Sequence, residues 1–155
     1  PHSMRDEVEE CRAEFEASKR RPWPNIIRDG EEIYAEGAKT VKGSEGQLRG
    51  VAGSPGVVNG IACVIRGPEE FEKLKNGDIL VAPLTNPVWT PLFAIAGGVV
   101  TEAGGILSHG AIVAREYGIP AVMGVAGVTK LVPEGRMVTI DGTNGIIYLP
   151  AEEAA

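Results

Sequence analysis

Apolar and polar positions fall into two regimes along the 155 residues, divided near residue 50. In the first, RDEVEECRAEFEASKRR (5–21) is dense in helix formers and sets Val8, Cys11 and Phe15 three and four apart, the spacing of one helical stripe. Pro22 and Pro24 stop it, because a proline ring cannot continue a helix. Residues 25–50 are polar and glycine-rich. IIRDGEEIYAEG reads as a short hairpin about Asp29-Gly30 and GAKTVKGSEGQLRG as loop, so this stretch is expected to be a connecting arm outside the core.

Beyond residue 50, short β-branched runs alternate with glycine and proline. Strands are predicted near 57–66, 78–82, 98–101, 121–125, 137–141 and 145–149, and helices over 68–74, 87–96, 108–117 and 127–131. Strands interleaved with helices predict a layered α/β domain.

Composition bounds the possibilities. With 43% apolar residues the chain is expected to bury one core, hence one compact domain. A net charge of −6, with no basic run beyond KRR at 19–21, argues against a nucleic-acid partner. Cys11 and Cys63 lie far apart without a CxxC or a histidine companion, which suggests neither a zinc site nor a disulfide framework and fits a reduced, cytoplasmic setting. No run of 18 apolar residues and no basic-then-apolar leader is present, so no membrane partner is expected. PHS before Met4 reads as an expression scar, which leaves His109 as the one native histidine.

Several chemistries drop out. The window ILSHG has isoleucine where a nucleophile elbow needs glycine, and Ser108 and His109 are neighbours that do not face each other on a helix. No P-loop and no Gly-x-Gly-x-x-Gly occurs, so the chain alone is not expected to bind a nucleotide. Glu69, Glu70 and Glu72 read as a solvated helix face.

What remains is TEAGGILSHGAIVAREYG (101–118). A strand ending at Thr101 runs into Gly104-Gly105, Ser108 is a favoured N-cap, and the helix stops at Gly118 before Ile119-Pro120. His109 then sits in a helical first turn, where unpaired N–H groups bind phosphate, and Gly110 has no side chain to cover them. Local signals leave two readings open: a phosphohistidine nucleophile, or a partly buried histidine satisfied by a carbonyl at a tight strand-to-helix turn.

The longer stretch GGVVTEAGGILSHGAIVAREYGIPAVMGV closely resembles the phosphohistidine signature of the phosphoenolpyruvate-utilising enzyme mobile domain, the swivelling domain shared by phosphoenolpyruvate synthase, pyruvate phosphate dikinase and rifampicin phosphotransferase. The likeness extends through GVAGSPGVVNGIACVI, DILVAPLTNPVWTPLF and VTIDGTNGIIYL, over residues 50–149. It implies a β/β/α sandwich in which His109 is phosphorylated from ATP on a partner domain. The domain then swings to deliver the group at a second, acceptor-substrate domain, in cis or in trans. ATP and magnesium would belong to the partner, this chain would hold no cofactor or metal, and it would not turn over alone. Such dikinases usually have threonine two places before the histidine, where this chain has Leu107. LLSHG-like forms look more like the rifampicin phosphotransferase branch, with a pyruvate-using dikinase, or a non-catalytic module of the same fold, as alternatives.

Other residues follow from that resemblance and their positions. Ser108 is expected to orient the imidazole, contact phosphate or simply cap the helix; Arg115 to reach a docked partner's phosphate chain or stay solvated. Thr101, Gly104 and Gly105 would flank the site, with Thr85 as a secondary candidate. Trp89 and Cys63 read as core. The organisation expected is scar and start (1–4), helix and linker arm (5–49), swivelling domain (50–150) and tail (151–155).

Overall fold

The computed structural model describes residues 4–18, 26–28, 31–33 and 46–150, and the chain divides into two units, Pro1–Glu36 and Gly37–Ala155. In the first, α1 (Met4–Ser18) is the expected helix, and its stripe is exposed, with Val8 at 52% and Phe15 at 61%. Pro22 and Pro24 lie outside the described residues. β1 (Ile26–Arg28) and β2 (Glu31–Ile33) pair antiparallel with Arg28 opposite Glu31, the register of the hairpin read about Asp29-Gly30.

The second unit is built on eight strands: β3 (Gln47–Arg49), β4 (Val51–Ser54), β5 (Val57–Val64), β6 (Ile79–Ala82), β7 (Gly98–Thr101), β8 (Ala121–Met123), β9 (Met137–Asp141) and β10 (Ile146–Tyr148). Their order is β3-β10-β9-β5-β6-β7-β8-β4. β5 to β8 are mutually parallel, as they must be when each connection crosses back through a helical segment. These crossovers are the 3-10 helix Pro68–Lys73, the 3-10 turn Pro87–Trp89 continued by α2 (Thr90–Phe93), and α3 (His109–Tyr117). α4 (Val128–Leu131) leads to β9. The first five residues of β5 pair with β9 and its last three with β6, so β5 passes from an antiparallel layer into the parallel one.

Side-chain alternation divides the interior into two cores. Val64, Ile79, Val81, Val100 and Val122 meet Val138, Ile140 and Ile147 between the two sheet layers. Their sequence neighbours Cys63, Ile65, Leu80, Ala82, Val99, Ala121 and Met123 point the other way, against Trp89, Phe93, Ala111 and Ala114 of the helical layer. The central strands are therefore buried on both faces, which is why they appear as unbroken apolar runs. The result is the expected β/β/α sandwich.

Two expectations are corrected. Gln47–Arg49, read as loop, is a strand paired with β10, and its central Leu48 is 5% exposed within the inter-sheet core. The helix expected over 87–96 begins as a 3-10 turn and ends at Phe93. Asn86 Oδ1 accepts from the Val88 N–H at 3.0 Å, and Pro91 has no N–H with which to continue a helical ladder back to Pro87. In the β9–β10 turn, the Asn144 side-chain amide, with the N–H groups of Asn144 and Thr143, holds the Asp141 carboxyl below its usual range.

Candidate functional site

β6 and β7 are adjacent and parallel, with Ala82 opposite Thr101, so the loops leaving their carboxyl ends run side by side. The Glu102 N–H donates to the Ala82 carbonyl at 3.0 Å and the Ala103 N–H to that of Pro83 at 3.0 Å. This end of a parallel sheet is where α/β folds place their sites. The first loop carries Thr85 and the second enters α3 at His109.

His109 is half-buried. Its Nδ1 lies 3.4 Å from Thr85 Oγ1, long for a hydrogen bond and within reach of a closer one on a small ring rotation. Phe93 meets the imidazole edge-on, with centroids 6.1 Å apart and planes at 90°. Either partner of the Thr85 contact can donate; donation by Nδ1–H leaves the lone pair on Nε2.

Gly110 is buried beneath this pair, and a Cβ there would stand 2.7 Å from Thr85 Oγ1. Gly110→Ala is therefore expected to push the hydroxyl off Nδ1 while leaving the fold intact, because the gain of about 1 kcal/mol in helix propensity opposes the crowding. Ring-nitrogen NMR of His109 checks this: an unchanged Nδ1 signal would show that the hydroxyl had kept its place.

Among the remaining site residues, Gly104 has φ +116°, a region that only glycine adopts readily, and a Cβ there would meet Ser108 Oγ at 2.9 Å. Gly105 is under no such constraint, since nothing lies within 4 Å of its would-be Cβ. Ser108 occupies the N-cap position of α3 without a side-chain cap; its hydroxyl donates to the Gly105 carbonyl at 2.8 Å. Thr101 flanks the loop from the buried side: it is 1% exposed, its hydroxyl is directed to the Ala103 carbonyl and Met123 Sδ, and a Cβ on Gly104 would stand 3.8 Å from that hydroxyl. Arg115 is not an unattached surface cation. Its Nη1 donates to the Gly53 carbonyl at 2.6 Å and its Nη2 to that of Ile106 at 2.8 Å.

Exposed apolar side chains surround this centre: Leu84 at 55%, Val88 at 61%, Ile106 at 58% and Leu107 at 80%. Residues 83–89 and 103–108 carry no Asp, Glu, Lys or Arg. Sequence reasoning missed Phe93 and Gly124, whose would-be Cβ stands 3.0 Å from the Gly104 carbonyl; neither has a local signature. Trp89 and Cys63 are core as expected, and burial pushes the Cys63 thiol upward. Glu70 is committed to Lys73 Nζ at 2.7 Å, in keeping with a solvated helix face. Among the described residues no three His, Cys, Asp or Glu side chains group as metal ligands, and no helix is long and apolar enough to cross a membrane.

A family profile described as the PEP-utilising enzyme, mobile domain, matches residues 74–145. The chain is similar to the rifampicin phosphotransferase of Bacillus subtilis (strain 168), 44% identical over 126 residues, which is 81% of this chain and 14% of that protein. It is likewise similar to the phosphoenolpyruvate synthase of Pyrococcus furiosus, 46% identical over 118 residues, 76% of this chain and 14% of that one. It thus spans about one seventh of each relative's length. A crystal structure of Thermococcus kodakaraensis aconitase X shares the fold alone, with a TM-score of 0.52 at 20% identity over 67% of this chain and 98% of that one.

Proposed function

We propose, from the premise that residues 74–145 of this chain belong to the PEP-utilising enzyme mobile-domain family, that His109 is a phosphoryl carrier between two active sites on other domains. The observation that carries the proposal is the pairing of the His109 ring, at the start of α3, with Thr85 through Nδ1. In the productive tautomer Nδ1–H donates to Thr85 Oγ1 and Nε2 keeps its lone pair. That lone pair attacks the β-phosphorus of ATP held with magnesium by a partner domain. The bond to the α–β bridging oxygen breaks and its electrons leave on AMP. Water releases the terminal phosphate, and the phosphoryl group left on Nε2 passes to an acceptor oxygen, returning the lone pair to the ring. A single fixed histidine cannot align with two separate centres, since transfer demands placement within about an ångström; a mobile one can.

The acceptor reading that departs least from the sequence is a hydroxyl compound handled by a rifampicin phosphotransferase-like partner, supported by Leu107 standing 80% exposed where the dikinase pattern has threonine. The likeness to phosphoenolpyruvate synthase favours the second reading, an enolate acceptor.

Labelling tests the carrier itself. With phosphoramidate, a small phosphoryl donor that needs no partner, His109 should take a base-stable, acid-labile group on Nε2. With a nucleotide-binding partner domain, the same atom should be labelled from β-labelled ATP. A label confined to Nδ1, or to another residue, would sink the mechanism.

A further inference from the structure

We infer that Arg115 is a positioning residue that sets the His109 ring by tying down the loop leading into it; its catalytic consequence rests on the carrier reading above. Between Ala103, held to Pro83, and His109, the loop is not anchored by burial: Ile106 and Leu107 stand 58% and 80% exposed. The Ser108 N–H and hydroxyl both bond to the Gly105 carbonyl, so they shape the loop internally without joining it to the sheet. Arg115 supplies the missing tie. Its guanidinium bridges the Ile106 carbonyl, at 2.8 Å, to the Gly53 carbonyl of β4, at 2.6 Å.

The Gly53 carbonyl lies in the register shift of β4 between Ala52 and Ser54. Two short bonds from one cation are charge-assisted and strong, and they need a planar fork that an ammonium lacks. Arg115 also lies on the helix that begins with His109, so the tie fixes the loop in the frame of the imidazole's own helix. Loosening it would let the turn at Gly105 and Ser108 drift, and with it the ring that must keep Nδ1 against Thr85.

The test compares Arg115→Gln and Arg115→Lys with the unaltered chain by three measurements: the rate of His109 phosphorylation by phosphoramidate, ring-nitrogen NMR of His109, and amide hydrogen exchange. Arg115→Gln should slow labelling roughly tenfold, the worth of one lost orienting hydrogen bond. It should also mix the two ring tautomers and raise exchange at residues 104–110 only. Arg115→Lys keeps the charge and should remain slow. Labelling at the unaltered rate in Arg115→Lys would overturn the inference in favour of charge alone. Exchange unchanged at 104–110, or raised across the whole sheet, would overturn it too. If the unaltered chain takes no label at His109 while Arg115→Gln still frees the loop, the tie stands and the carrier reading alone falls.

Discussion

On the carrier function proposed above, His109→Ala should leave a folded domain that acquires no phosphoryl group from ATP in the presence of a nucleotide-binding partner domain. The expected fall is on the order of 10⁴ or more, because loss of a nucleophile removes the covalent route itself. Stability should change little. The ring is half-buried, its one polar contact among the described residues is 3.4 Å long, and its neighbour Phe93 is held independently in the helical core. His2 is the only other histidine, so with phosphoramidate the variant should show label at His2 alone. Unaltered thermal unfolding together with complete loss of transfer from ATP is the diagnostic combination. Transfer at a tenth of the original rate would mean that another residue accepts the group.

The largest effect on stability should come from a residue remote in sequence from the loop. A Cβ on Gly142 would stand 1.9 Å from the Ser54 carbonyl and 2.7 Å from the Ala121 N–H nitrogen, both backbone atoms that cannot swing aside. The Gly142 N–H also donates to the Gly56 carbonyl at 2.8 Å, pinning the β9–β10 turn where β4 ends and β8 begins. Gly142→Ala must therefore pry strands apart, at about 3 kcal/mol or more. Against a usual domain stability of 5–15 kcal/mol, this should lower the unfolding midpoint by roughly 10 °C. Gly105→Ala, which meets open space, is the control. A midpoint shift under about 2 °C in Gly142→Ala would contradict the packing described.

Composition pointed to one core where the eight-stranded unit has two, because its central strands bury both faces; individual strands were legible wherever a run was long enough to show its burial. β7 and β9 appear in the sequence with the bounds they have in the fold, since VVT and VTI are continuous β-branched runs. β3 was not legible, because three residues with one inward Leu48 carry no period. Within the site, local signals located His109, the glycine turn and the stop at Gly118. Thr85 reached its place only through pairing of β6 with β7, a tertiary fact that no window of sequence contains. The bonds of Arg115 were beyond reading for a different reason: both its partners are backbone carbonyls, which every residue has. Thr101 combines two signals: its parity with Val99 turns it inward, and its position at the end of β7 sets its hydroxyl beside the Ala103–Gly104 turn.

The outermost strands of the eight-stranded order, β3 and β4, are consecutive in the chain with only Gly50 between them. Open strand edges invite a second chain to add on, and proteins blunt them by shortness, bulges or cover. Two of these devices recur here: β3 and β4 have three and four residues, and β4 is irregular between Ala52 and Ser54. The Gly53 carbonyl, which an added strand would seek, is already taken by Arg115. On these two edges of the eight-stranded order, an added strand from a second copy finds little to pair with, which disfavours edge-to-edge aggregation through them.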